Sequence, residues 1–199
     1  SSAAAFLKPA RQRKNLKIIT GAQIRRLVIE GRRATGVVYR QNGHDLTLRA
    51  SREVVLSAGA LGSPHLLMLS GIGDGAALRD KDIPVIHDLA GVGQNLQDHL
   101  QARPVFKTTA STINIETRHP LQYVRIALQY ALSRRGPMAM AASLGTGFLK
   151  TRPGLETPDI QFHIQPFSAD RPGAGTHPFS AFTASVLQLR PQSTGHLAL

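Results

Sequence analysis

Cysteine and tryptophan are both absent from the 199 residues, and aromatic residues of every kind amount to 5%. Without cysteine there is no disulfide, no thiolate nucleophile and no Cys-ligated zinc or iron–sulfur site, although the compartment stays open. So few aromatics leave little with which to stack nucleic-acid bases. No apolar run approaches the ~20 residues of a spanning helix, and no signal-peptide pattern or initiator Met is present. Acidic residues are also scarce, 12 against 24 Lys and Arg, for a formal charge of +12. Such a charge attracts nucleic acid or an anionic membrane. The arginines, however, are scattered from Arg11 to Arg190, and charge alone gives non-specific attraction. No specific nucleic-acid partner is expected.

What is present begins with length: 199 residues bury a sizeable core and make one large domain or two small ones. Ser1-Ser2-Ala3-Ala4-Ala5-Phe6-Leu7 reads as the interior of a longer protein, and Gly195-His196-Leu197-Ala198-Leu199 as an interrupted strand. Both ends are expected to be cut.

Arg52 to Gly73 is the most informative stretch. Val54-Val55-Leu56 reads as a buried parallel strand, and Ser57-Ala58-Gly59-Ala60 follows with almost no side-chain bulk. Small residues after a buried strand let the backbone approach a flat ligand beyond the sheet's carboxyl edge. Ser63 is expected to cap a helix whose first residue is Pro64, running to Ser70, with Gly71 as its left-handed stop. The plain alternative is an ordinary strand–turn–helix.

Upstream, Leu16–Thr20, Ala22–Glu30, Ala34–Gln41 and Asp45–Ala50 read as strands with turns at Gly31-Arg32 and Asn42-Gly43, an antiparallel meander. Downstream, Ala76–Arg79 reads as a helical turn and Pro84–Ile86 as a strand, followed by a structured loop over Asp88–His99. Within it Asp98-His99 invites a metal or acid–base reading. Adjacent side chains point apart and no third ligand is in view, so structural hydrogen bonding is preferred and no metal is assigned. Leu121, Val124, Leu128 and Leu132 fall at helical spacing, predicting an amphipathic helix over Leu121–Ser133. Arg134-Arg135 sits in its last turn, and Gly136-Pro137 ends it. A membrane-surface or partner helix is one reading; a helix laid on its own sheet is the favoured one. Pro158–Gln165 alternates Ile160, Phe162 and Ile164 with Asp159, Gln161, His163 and Gln165. The polar face could line a substrate cavity touched by His163, with solvent exposure the favoured reading. Ala181–Leu189 and Leu197–Leu199 are further strands, and Gly136–Gly147 and Arg171–Pro178 are loops.

Ala58-Gly59-Ala60-x-x-Ser63-Pro64-x-Leu66-Leu67-x-x-Ser70-Gly71-Ile72-Gly73 and Asp88-Leu89-Ala90-Gly91-Val92-Gly93-Gln94-Asn95-Leu96-Gln97-Asp98-His99 together resemble two signatures of the glucose–methanol–choline (GMC) oxidoreductases. The second departs from the family at Ala90, where Pro is usual. Asn15–Thr20, Gly31–Val37 and Arg52–Leu56 are similar to the family as well. The resemblance implies a mixed α/β (α+β) fold. Residues 1–101 would be part of an FAD-binding doubly wound domain with an antiparallel meander, and 102–199 part of an antiparallel-sheet substrate domain that roofs the flavin. It implies adenosine contacts at Ile24, where the family often has Val, and at Ala58, Gly59 and Ala60. Ile24 can serve core packing at the same time. The family's phosphate-binding GxGxxG is not found: Gly71-Ile72-Gly73-Asp74-Gly75 follows a helix rather than a strand. Its catalytic His would lie beyond Leu199, so no catalytic residue is assigned.

The implied function is that of an internal fragment of an FAD-dependent, choline-dehydrogenase-like oxidoreductase acting on CH–OH groups. A primary alcohol, choline-like or aliphatic or aromatic, would become an aldehyde by hydride transfer to flavin N5, with oxygen or a quinone as electron acceptor. Two alternatives stay open: an FAD-containing hydroxynitrile lyase of the same fold, and a non-catalytic, truncated basic interaction module. The expected location is cytoplasmic, with a peripheral contact to the inner membrane left open.

Overall fold

Asn42 and Gly43 both take left-handed backbone, φ 51° and 84°, as a two-residue type I′ turn requires. They join β2 (Arg33–Gln41) to β3 (His44–Arg49), in register from Gly36↔Arg49 to Gln41↔His44. Gly31, at φ 61°, likewise turns β1 (Gln23–Glu30) into β2. The meander is thus the expected one. Leu16–Thr20 is not a strand; before the meander lie a π-helical turn at Ala3–Leu7 and the short α1 (Lys8–Ala10). The structure is a computed structural model that describes residues 2–141, 143–171 and 173–199. It divides into two units, Ser1–Leu96 with Thr194–Leu199, and Gln97–Ser193.

In the first unit α2 spans Gly59–Leu69, beginning five residues before the expected Pro64. Gly59, at φ 85°, admits the chain to the helix. Ser63 does not cap the helix; its Oγ accepts the Ala58 N–H at 3.1 Å. Pro64 is interior and breaks one helical bond, that to the Ala60 carbonyl. Gly71 ends the helix at φ 81°, as expected. Its carbonyl accepts Ile86 N (2.8 Å) and His87 N (3.1 Å), and the strand expected over Pro84–Ile86 forms just beyond it, at His87–Asp88. There β4 (Ile72–Gly73) pairs in parallel with β5 (His87–Asp88). Between them, Asp74 caps α3 (Gly75–Arg79) by accepting Ala76 N and Ala77 N at 2.9 and 3.0 Å.

Val54–Leu56 joins no ladder among the described residues, contrary to the expected parallel strand. A parallel strand needs a neighbour, and none is supplied here. The strand-like alternation persists: Val55 is 77% exposed, while Val54 and Leu56 line an apolar cavity of about 530 Å³ with Leu27, Leu67, Ile72 and Ile86. Leu197–Leu199 is also not a strand, although Gly195 bridges Leu96.

The second unit is an antiparallel sheet. β6 (Gln101–Ala102) and β7 (Val105–Lys107) both pair with β10 (Ala181–Gln188), which pairs with β9 (Ile160–Gln165), which pairs with β8 (Gly145–Leu149). β8 falls partly within the expected loop Gly136–Gly147. Its Gly145 and Gly147 suggest a turn by composition, and only pairing with Ile164 and Phe162 makes them strand. Ala142 in that loop and Pro172 in Arg171–Pro178 lie outside the described residues, as does Ser1. α4 (Ile113–Glu116) leads to α5 (Pro120–Ser133). Arg134 is not in the last turn of α5 but forms its left-handed cap, φ 57°. The favoured reading of α5 fails at its apolar stripe. Leu121, Val124, Leu128 and Leu132 are 75, 53, 55 and 85% exposed, and the helix buries Ile126 instead.

Candidate functional site

Three places gather chemistry. The first is the N-terminal end of α2. The first four N–H groups of a helix have no intrahelical partner; here the N-cap residue Ala58 has no side-chain acceptor for them, and Ser63 Oγ takes only the Ala58 N–H. Ala58, Gly59 and Ala60 are exposed, and a Cβ built on Gly59 meets nothing within 4 Å. This is bare backbone around small side chains, a surface that a planar heterocycle can approach closely. Ile24 lies half-buried in β1, against which α2 packs; the two elements are tied where Leu27 N donates to Ser70 Oγ at 2.8 Å. The residues present therefore fit backbone contact with an adenosine group. No Gly-rich strand-to-helix turn for a pyrophosphate occurs in the sequence.

The second place is the polar face of the β8–β9–β10 sheet. Thr146, His163 and Ser185 form one cross-strand row. His163 Nδ1 lies 3.3 Å from both Ser143 Oγ and Thr146 Oγ1. Beside this row Arg103 donates to Gln165 Oε1 at 3.2 Å. Solvent exposure is the favoured reading for the polar side chains of β9, and Asp159, Gln161, His163 and Gln165 are half-buried; on the neighbouring β10 Thr183 is 1% and Ser185 0% exposed, while Ile164 of the apolar face is 40% exposed. The segment after β9 covers Thr183, whose hydroxyl donates to the Phe167 carbonyl at 2.9 Å. Ser185 Oγ is buried without a hydrogen-bond partner. Such an orphan is costly unless water or a ligand group satisfies it.

The third place went unread in the sequence. Asn114, fully buried, donates from Nδ2 to Ser168 Oγ and the Phe179 carbonyl, both at 2.9 Å, and accepts Ser168 N at 3.0 Å. Ser168 Oγ also lies 2.9 Å from His177 Nδ1, whose Nε2 lies 2.9 Å from Asp170 Oδ1. A serine, a histidine and an aspartate in a chain resemble a hydrolase triad. Ser168 is 0% exposed, however, so no substrate reaches its hydroxyl. The Asp170 carboxylate can only accept, so His177 Nε2 carries the proton that faces it. This arrangement ties the segment after β9 to α4. Its partners stand 54 and 65 residues from Asn114 in sequence, and no local pattern signals them.

At Asp98-His99 the bond is local: His99 N–H donates to Asp98 Oδ1 at 2.8 Å. The pKa shifts in the chain fall on exposed groups. Asp159 is held below the ordinary carboxylate range by the Thr151 hydroxyl and then by the Thr151 N–H. Glu30 and Asp45 are lowered by their partners Arg49 and Arg40.

Residues 1–101 match the GMC oxidoreductase family. The chain belongs to this family. Mitochondrial choline dehydrogenase of Mus musculus is 41% identical over 199 residues, covering all of this chain and 33% of the relative. An oxygen-dependent choline dehydrogenase of Ectopseudomonas mendocina is 39% identical over 201 residues, covering all of the chain and 36% of the relative. This GMC segment therefore spans about a third of the curated relatives' length. Among solved structures, an Aspergillus oryzae formate oxidase studied for FAD modification superposes with a TM-score of 0.84 at 25% identity. It matches 96% of this chain and 38% of its own. The mixed helix–sheet architecture with its antiparallel sheets is the one expected of the family.

Proposed function

We propose that this chain is a segment of an FAD-dependent oxidoreductase acting on CH–OH groups, oxidising a primary alcohol of choline-like or related type to an aldehyde. The observation that carries the reading is the 41% identity to a choline dehydrogenase along the whole chain. Bound FAD would supply the hydride acceptor. The unit Ser1–Leu96 with Thr194–Leu199 would belong to the FAD-binding domain, and Gln97–Ser193 to the substrate domain. Ile24 would offer its backbone to the adenine, and the exposed backbone of Ala58, Gly59 and Ala60 would line the adenosine group. In the second unit, His163 and the exposed Thr146 hydroxyl beside it would orient a hydroxylated substrate. No residue of this chain is assigned to proton abstraction.

Oxygen or a quinone is the proposed electron acceptor. A peripheral contact with the inner membrane from the cytoplasmic side is the proposed location. It is supported by the charge of +12; among the described residues no helix is long and apolar enough to cross a membrane.

Anaerobic addition of primary alcohols to the full-length protein carrying this segment tests the chemistry. Bleaching of the visible flavin spectrum by an alcohol is expected. Cleavage of a cyanohydrin without bleaching would instead establish a lyase and overturn the proposal.

A further inference from the structure

Eight histidines occur in the chain, and among the described residues two have their rings held by other side chains. His177 is occupied at both nitrogens, by Ser168 Oγ and by the Asp170 carboxylate. His163 is occupied at one. It stands on β9, between β8 and β10, with Nδ1 3.3 Å from both Ser143 Oγ and Thr146 Oγ1. Leu144 N donates to the Ile164 carbonyl at 2.8 Å, which carries the β8–β9 pairing back to the residue beside Ser143. Both hydroxyls are therefore placed by backbone. His163 Nε2 has no hydrogen-bond partner among the described residues. Among them Ser185 Oγ is the side-chain atom that is both buried and unpaired, so Nε2 keeps access to what lies over the sheet.

The kind of support decides what each ring can do. A carboxylate only accepts, so Asp170 fixes the tautomer of His177. A hydroxyl both donates and accepts, so Ser143 and Thr146 satisfy His163 Nδ1 with or without its proton. Nε2 is then free to accept from an O–H group or to donate to a carbonyl. An alcohol undergoing oxidation presents both in turn: its oxygen carries a proton as substrate and only accepts as aldehyde. A partner fixed within the fold would call for one of the two. We infer that His163 Nε2 binds the reacting oxygen of the substrate, as alcohol and again as aldehyde, and that Ser143 and Thr146 are positioning residues acting through Nδ1. The inference deepens the alcohol-oxidation reading above and rests on it; the proton that leaves the alcohol is not assigned to His163.

Rapid anaerobic mixing of the full-length, flavin-loaded protein carrying this segment with a primary alcohol tests this. The bleaching rate gives the alcohol concentration at half-saturation, and competition by the matching aldehyde gives the affinity for product. His163→Leu should weaken both about tenfold or more, one hydrogen bond to the bound oxygen being lost. Ser143→Ala/Thr146→Val should weaken both in the same sense. Ser143→Ala/Thr146→Ser, which returns one hydroxyl, should recover part of that loss. Thr146 is exposed and Ser143 half-buried, so the hydroxyl variants keep the test open even where His163→Leu fails to fold. If no primary alcohol bleaches the wild-type flavin, the proposed function and the inference both fall. If the wild type bleaches and the His163 and hydroxyl variants match it for alcohol and aldehyde, the inference falls and the proposed function stands. A lowered melting temperature with wild-type saturation would make His163 a brace for the remaining polypeptide and overturn the inference. Weakened alcohol binding with unchanged aldehyde binding would overturn the two-way role of Nε2.

Discussion

Asn114 uses both amide protons and its oxygen inside the protein, with one accepted and two donated bonds at 2.9–3.0 Å and no exposed surface. Removing it leaves Ser168 N and the Phe179 carbonyl buried without partners. Asn114→Ala should therefore cost about 2–3 kcal/mol, each orphaned group carrying a desolvation penalty. Urea melts of the variant against wild type check this, and a loss under 1 kcal/mol would mean that water enters and takes over the bonds. Asp159 is the corresponding exposed case. Its carboxylate accepts the Thr151 hydroxyl and N–H, which hold its pKa down. A lowered carboxylate pKa contributes stability that is present above the unfolded value of about 3.9 and is lost as pH falls through the folded one. In Thr151→Val the hydroxyl bond is gone. The Asp159 titration, followed by carboxylate NMR, should then move up toward the ordinary value. Neither residue is legible in sequence: Asn114 sits in a short Ile-Asn-Ile-Glu run, and its partners arrive from the far side of β9. The proposed contact at Ile24 comes only from the family resemblance, because a backbone contact leaves no side-chain signature, whereas the small residues Ala58–Ala60 mark a close backbone approach by themselves.

Elements whose partners are local were the legible ones. The meander follows from Asn42-Gly43 and alternating strands, since a two-residue turn fixes the register of its own hairpin. β8 was not legible, because its glycines become strand only by pairing with β9. The start of α2 was misread because Pro64 and Ser63 carry strong helix-start signals. The chain instead enters the helix at Gly59, with small residues ahead of the proline. The stripe on α5 was found at the right spacing, yet spacing does not say which flank meets the fold. Two glycines separate conformational strain from close packing. Gly43 has φ 84° and open space around a built Cβ. Gly43→Ala should cost about 1 kcal/mol, the left-handed strain alone. Gly71 has φ 81°, and there a Cβ would lie 2.3 Å from the Pro84 carbonyl oxygen. That contact is backbone on backbone, so the link between α2 and β5 must open. Gly71→Ala should cost about 3 kcal/mol or more. Equal losses in denaturant melts of the two variants would show that Pro84 yields without penalty.

At the scale of the molecule, the division into units does not follow chain order. Thr194–Leu199 belongs with residues 1–96, joined through mutual Gly195–Leu96 bonds of 2.7 and 2.9 Å and by Leu197 N to Gly93 O at 2.7 Å. A return of six residues carries no compositional mark, so no pattern in the sequence signals it. The same scale governs cofactor affinity. The adenosine-facing parts proposed here, Ile24 and Ala58–Ala60, are backbone contacts without a charged anchor. The phosphates would bring most of the charge-assisted binding, and the chain has no Gly-rich turn that delivers N–H groups from a strand into a helix N-terminus. Val54 and Leu56 in addition lack a parallel neighbour to hold the strand that precedes Ala58. The 199-residue chain by itself should therefore retain little or no FAD through gel filtration. Stoichiometric flavin absorbance in the protein peak would overturn this, and would mean that the α2 terminus binds the cofactor without a phosphate loop. A chain that binds FAD only when the remaining segments are restored by co-expression would place the missing affinity in those segments.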